Sequence, residues 1–176
     1  MQMNKKMSIF VILTGLLFAG CSGDGTTGYT TQSQFPSDVK TVYIPVWTRG
    51  KDVYRRDIEM RLTEALVKRL QQNTPYRIAK KGEADTELSG EIIRIDQEVL
   101  HYNPDTGKAR EIGMLFTVNF TWKDLRSGKI LVSREKFQVS TTYIPDEEFN
   151  EDFFVGSEDL VNKLARLIVE QLESDW

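Results

Sequence analysis

From Met114 to Lys123 the chain alternates between two kinds of residue: Met114, Phe116, Val118, Phe120 and Trp122 are apolar, while Thr117, Asn119, Thr121 and Lys123 are polar. A period of two predicts a β-strand with one buried face and one wet face. Ala84 to Leu100 and Ile130 to Tyr143 read as strands on either side of it. Between the three lie Asn103-Pro-Asp-Thr-Gly107 and Arg126-Ser-Gly-Lys129, dense in turn-forming residues, with Gly107 free to take a positive φ. Three strands joined by two hairpin turns predict an antiparallel meander.

A helical period flanks this β region. Between Val53 and Gln72, Ile58, Leu62, Ala65, Leu66 and Leu70 recur at helical spacing, with Arg55, Arg56, Glu59, Glu64 and Lys68 on the other side. Asn73-Thr-Pro75 stops the helix, because the residue before a proline is pushed away from helical angles. Lys40 to Trp47, ahead of it, is β-branched and aromatic; Pro45 places that strand at an edge or near its own end. Tyr76 to Ala79 follows as a short strand, completing a β-α-β unit whose crossover should be right-handed. After an acidic stretch, Asp146 to Asp152, read as a solvated loop, Ser157 is a good N-cap with Glu158 and Asp159 at the positive end of the dipole. The helix it opens carries a stripe of Leu160, Leu164, Leu167, Ile168 and Leu172. The expected fold is α+β: a two-layer sandwich with a mostly antiparallel four- to five-stranded sheet and two helices on one face.

The N-terminal segment belongs to no such layer. Lys5 and Lys6 precede an apolar run from Ile9 to Ala19, about half the length a membrane-spanning helix needs, which is the layout of a signal peptide. Phe18-Ala19-Gly20-Cys21 resembles a lipobox, with Phe18 standing where a leucine is usual. Cys21 is the only cysteine, so it has no disulfide partner within the chain. The expectation is that residues 1–20 are removed and that Cys21 is lipidated, carrying diacylglycerol and a fatty acyl chain. The alternative is an ordinary signal peptide with a leftover free thiol, a liability in an oxidising compartment. Ser22, rather than an acid, follows the cysteine, and the resemblance to sorted lipoproteins implies the outer membrane, with the domain on the periplasmic side. Residues 21–34, rich in Gly, Ser, Thr and Gln, read as a flexible tether, and residues 35–176 as one folded domain.

Charge narrows the partners. Two of the 23 basic residues leave with the signal segment, so the net charge moves from −3 to −5 and nucleic acid is not an expected partner. Enzyme chemistry is thin. The single histidine, His101, sits beside the Asn103 turn and reads as a surface residue. No glycine-rich phosphate loop, nucleophile elbow or HExxH pattern occurs, and no metal or other cofactor is expected. The candidate ligand-binding residues are basic and lie beside the turns: Lys108 and Arg110 at one, Arg126 and Lys129 at the other. Their functional reading is contact with phosphate or carboxylate groups; their plain reading is solvated turn residues.

The order of motifs resembles the lipopolysaccharide-assembly lipoproteins called LptE. The likeness runs from the lipobox cysteine through Gly28-Tyr29, Phe35-Pro36-Ser-Asp-Val-Lys-Thr-Val-Tyr-Ile-Pro45, Leu62-Thr-Glu-Ala-Leu66 and Thr74-Pro-Tyr-Arg-Ile78. It continues through Ala84-Asp-Thr-Glu-Leu-Ser-Gly90 and Phe120-Thr-Trp-Lys-Asp-Leu125, covering most of residues 21–140. This resemblance implies a lipid-anchored protein of the outer membrane's inner leaflet, with two helices on a mostly antiparallel sheet. It also implies a place as a plug inside a β-barrel of the LptD type, and a part in delivering lipopolysaccharide to the cell surface. Where such proteins bind the glycolipid, basic loop residues take part, which singles out Lys108 and Arg110 here.

Two other classes remain open. A regulator reaching across the periplasm to a cell-wall synthase would need a long tether, and residues 22–34 span at most about 45 Å fully extended. A hydrolase would need paired carboxylates in a pocket.

Overall fold

The structure is a computed structural model that describes residues 35–145 and 152–173. The predicted signal segment, the expected lipidation site Cys21, the predicted tether and most of the acidic loop lie outside the described residues. The first extended run does not form one strand. It splits around Pro45 into β1 (Thr41–Tyr43) and β2 (Thr48–Arg49), both of which pair parallel with the next long strand. Proline lacks the N–H that a continuous ladder would need. Trp47 is instead pinned from above, its backbone N–H donating to Thr63 Oγ1 at 3.0 Å.

Helix α1 spans Ile58–Asn73, starting later than the Val53 suggested by periodicity. Asp57 takes a left-handed conformation at φ 68°, so the helical geometry cannot extend back through it. Val53 is still buried, held in a loop by its N–H donating to Gly50 O at 3.1 Å. The helix buries Ile58, Leu62, Thr63, Leu66 and Leu70, the predicted stripe except for half-buried Ala65. It ends at Thr74, and β3 (Arg77–Ile78) then pairs parallel with β1, closing the β-α-β unit.

The three long strands are β4 (Thr86–Tyr102), β5 (Ala109–Asp124) and β6 (Ile130–Tyr143), an antiparallel meander as the alternation predicts. The sheet order is β3-β1-β4-β5-β6, with β2 alongside β4, so among the described residues the short pieces bring the expected four to five strands to six. Both hairpin turns use the same device. Asn103 Oδ1 accepts from the N–H groups of Asp105 and Thr106, and Asp124 Oδ1 from those of Arg126 and Ser127. Gly107 and Gly128 complete the turns at φ 68° and 75°.

Helix α2 covers Asp152–Glu170. Ser157 is therefore not its N-cap: it lies within the helix, fully buried, and the helix begins five residues earlier. Packing overrides the capping signal, because Phe153 is buried and the Arg55 guanidinium stacks 4.3 Å above its ring. Leu160, Leu164, Ile168 and Leu172 are inaccessible to solvent, and they join Phe116, Phe120 and Trp122 in one core between the helix layer and the sheet. The residues that alternate with these on β5 face the uncovered side, with Lys123 exposed.

Candidate functional site

Beyond the turn at Asn103 the meander ends in an open cleft of about 800 Å³, built from the last residues of β4, the first of β5, the end of β6 and the start of α2. Its lining includes Tyr102, Arg110, Tyr143, Ile144 and Asp159. A bulge aims the cation. His101 pairs with Glu111 and Tyr102 with Ala109, so Arg110 is the extra residue on β5, freed from the strand's alternation. His101 Nδ1 lies 2.8 Å from Glu111 Oε2, which engages the carboxylate nearest to Arg110 in sequence. Tyr102 and Ile144 are strongly exposed apolar side chains, at 63% and 79%, so the mouth of the cleft offers apolar surface beside an arginine. At the back, Gly156 lets α2 approach: a Cβ there would fall 2.5 Å from the Tyr143 ring.

The four basic residues singled out from sequence fall into two groups. Arg110 lines the cleft, and Lys108 sits on the adjoining turn, its carbonyl accepting the Asn103 N–H at 2.8 Å. Arg126 and Lys129 are at the opposite end of the sheet, roughly 50 Å away along β4. Arg126 is committed to the fold there, with Asp124, Asp38 and Asp85 at 3.4, 3.7 and 3.9 Å. Asp85 in turn accepts from the Lys40 N–H, the Thr41 N–H and the Thr41 hydroxyl, each at 3.0 Å. The Lys40 N–H leads in holding the Asp85 carboxyl below its ordinary range against the effect of burial, with Thr41 and Arg126 adding to it. Tyr76 beside this end is pushed well above the usual phenol range by burial and by the charge of Asp38.

Sequence reading did not find Tyr102, Tyr143, Ile144 or Asp159 as site residues. Tyr102 alone carried a local signal, standing next to His101 at the turn; the others reach the cleft only through strand pairing and the packing of α2. Among the described residues no cluster of three His, Cys, Asp or Glu side chains could hold a metal ion. None of the described helices is long and apolar enough to cross a membrane.

A family model described as "LptE: Lipopolysaccharide-assembly" matches residues 39–176, nearly the whole of the folded part. The chain belongs to the LptE family. No curated protein matches it. Among solved structures, the hypothetical protein CT253 from Chlamydia trachomatis is similar with a TM-score of 0.53 at 8% identity, over 76% of this chain and 98% of that one. Uncharacterized lipoprotein B from Nitrosomonas europaea gives 0.52 at 14% identity, over 83% and 89%. Protein XCC0632 from Xanthomonas campestris gives 0.52 at 9% identity, over 80% and 90%. At these identities the likeness is one of fold. The LptE-type arrangement of two helices on one face of a mostly antiparallel sheet is the one seen here.

Proposed function

We propose that this LptE-family chain is a non-enzymatic outer-membrane lipoprotein, anchored through lipidated Cys21, that plugs and helps assemble a β-barrel lipopolysaccharide translocon of the LptD type. The family match over residues 39–176 carries this reading. The cleft adds a physical role. Its arginine beside exposed Tyr102 and Ile144 suits an amphiphile that joins anionic groups to apolar chains, and Lys108 on the adjoining turn adds a second cation. Lipopolysaccharide has that chemistry. The overall charge of the chain is negative, so attraction has to be local, supplied by these two residues.

The test is affinity purification of the tagged, lipidated protein from solubilised outer membranes, followed by mass spectrometry. Recovery of one large barrel protein in near-equal amount is the expected result; the absence of any barrel from the eluate would sink the plug reading. The anchor is tested separately, since Cys21→Ser should abolish acylation and release the chain from the membrane fraction.

A further inference from the structure

Strand β6 ends the sheet, pairing with β5 on one side and with no described strand on the other. Which of its main-chain groups face outward follows from the hydrogen bonds at the base of the meander. Leu125 N donates to Asp85 O and Asp124 N donates to Lys129 O, both at 2.8 Å, so odd-numbered β5 residues bond to β4 and even-numbered ones to β6. Gln138, Ser140 and Thr142 stand opposite Thr117, Leu115 and Gly113, all odd. Their N–H and C=O groups therefore point away from β5.

Sheet edges in monomeric proteins are blunted by charges, prolines or bulges. The first half of β6 is guarded in this way, by Arg134, Glu135 and Lys136, with Lys136 in a bulge at φ 52° and its N–H turned to Asn119 Oδ1 at 2.7 Å. The second half, Phe137 to Tyr143, has no charge, proline or glycine. Among the described residues one group guards it: Lys163 of α2 reaches over the edge, its Nζ 2.7 Å from Ser140 O. A flexible four-carbon stem carries that ammonium, so the cap can swing aside.

We propose that the outward edge of β6 from Gln138 to Thr142 is a docking surface for one extended strand of another protein. That strand is neutral where it lies beside Gln138, Ser140 and Thr142, and carries a carboxylate on the helix side to meet Lys163 once the Ser140 carbonyl is taken. Main-chain pairing supplies the adhesion, and the lysine supplies the charge preference. A second copy of this chain would meet its own charge in the register centred on Ser140. Two-fold pairing centred on Ser140 would set the two Ser140 residues about 5 Å apart. It would converge both Lys163 ammoniums on the same spot, where like charges repel. The edge adjoins the cleft at Thr142, which lines both, but its adhesion comes from main-chain pairing and not from the ligand proposed for the cleft.

The test uses the full lipidated chain in cells, with a photo-crosslinking amino acid placed in turn at Gln138, Ser140 and Thr142, and mass spectrometry to locate each adduct. The expected result is one partner segment, with the attachment point moving two residues for every two moved on β6 and carboxylates in the segment opposite Lys163. A second variant, Ser140→Pro, removes an N–H that β5 does not use. It should lower recovery of the same partner at least tenfold while the circular dichroism spectrum is unchanged. Adducts scattered over unrelated proteins, adducts to a second copy of this chain, no adducts, or a folded proline variant that retains its partner would each overturn the proposal. Because the adduct map is read on chains lacking the proline, it decides the question even if that variant fails to fold.

Discussion

Thr41 and Asp85 hold each other from both sides: the Thr41 N–H and hydroxyl donate to Asp85 Oδ2 at 3.0 Å, and the Asp85 N–H returns to Thr41 Oγ1 at 2.9 Å. This exchange ties β1 to the start of β4, 44 residues later, at the end of the sheet where the folded part begins. Asp85→Ala leaves both partners' donors short of an acceptor. It should cost about 2 kcal/mol, since unsatisfied, partly buried groups lose more than the bond alone is worth. Urea unfolding measures it, and Asp85→Asn, which keeps one acceptor, should fall between.

The same end of the sheet sets an acid limit. Burial alone would raise the Asp124 carboxyl, but the Arg126 main-chain and side-chain hydrogen bonds, the Ser127 N–H and the Arg126 charge outweigh it, and the net shift is downward. Asp85 is also lowered. Folded values below unfolded ones mean that the stabilisation is complete above the ordinary aspartate pKa of about 3.9 and is lost as pH falls through the folded values. The urea midpoint should therefore gain nothing from these groups between pH 7 and 5 and fall below about pH 4. In Asp85→Ala the acid slope should be shallower.

Gly90 faces the core beneath Trp47. A Cβ there would lie 2.6 Å from two indole carbons and 2.7 Å from Asn119 O, and backbone cannot yield as a side-chain tip can. Gly90→Ala should destabilise by about 2 kcal/mol through overpacking. Near-ultraviolet circular dichroism would report the displaced indole; an unchanged midpoint and spectrum would show that this contact gives way freely.

Leu164 is fully buried where α2 meets the sheet. Leu164→Ala should cost about 3 kcal/mol, the lost transfer energy plus that of the cavity, with the urea m-value unchanged.

Arg110 is exposed, so Arg110→Ala should alter stability by less than about 0.5 kcal/mol. If the cleft takes an anionic amphiphile, the same substitution should weaken lipopolysaccharide binding by about tenfold, the loss of one charge-assisted hydrogen bond. Lys129→Ala, at the far end of the sheet, should leave binding unchanged; equal losses for both would assign the effect to overall charge.

Much of this was legible before any coordinates. The alternation from Met114 to Trp122, the turns at Asn103–Gly107 and Arg126–Lys129, the stripe on α1 and the lipobox-like Cys21 are each determined by the sequence alone, because periodicity and turn chemistry are local properties of a few neighbouring residues. Tertiary structure decided the rest. Only strand pairing could show that Pro45 divides one extended run into two, since the break depends on what β4 offers on either side. Only the fit of Phe153 and Gly156 against distant partners could move the start of α2 ahead of Ser157, against a good capping signal. The cleft joins Arg110 to Tyr143, Ile144 and Asp159, and the exposed edge of β6 sets Ser140 against Lys163. Those neighbours lie tens of residues apart, and no window on the chain contains both members of such a pair until packing brings them together.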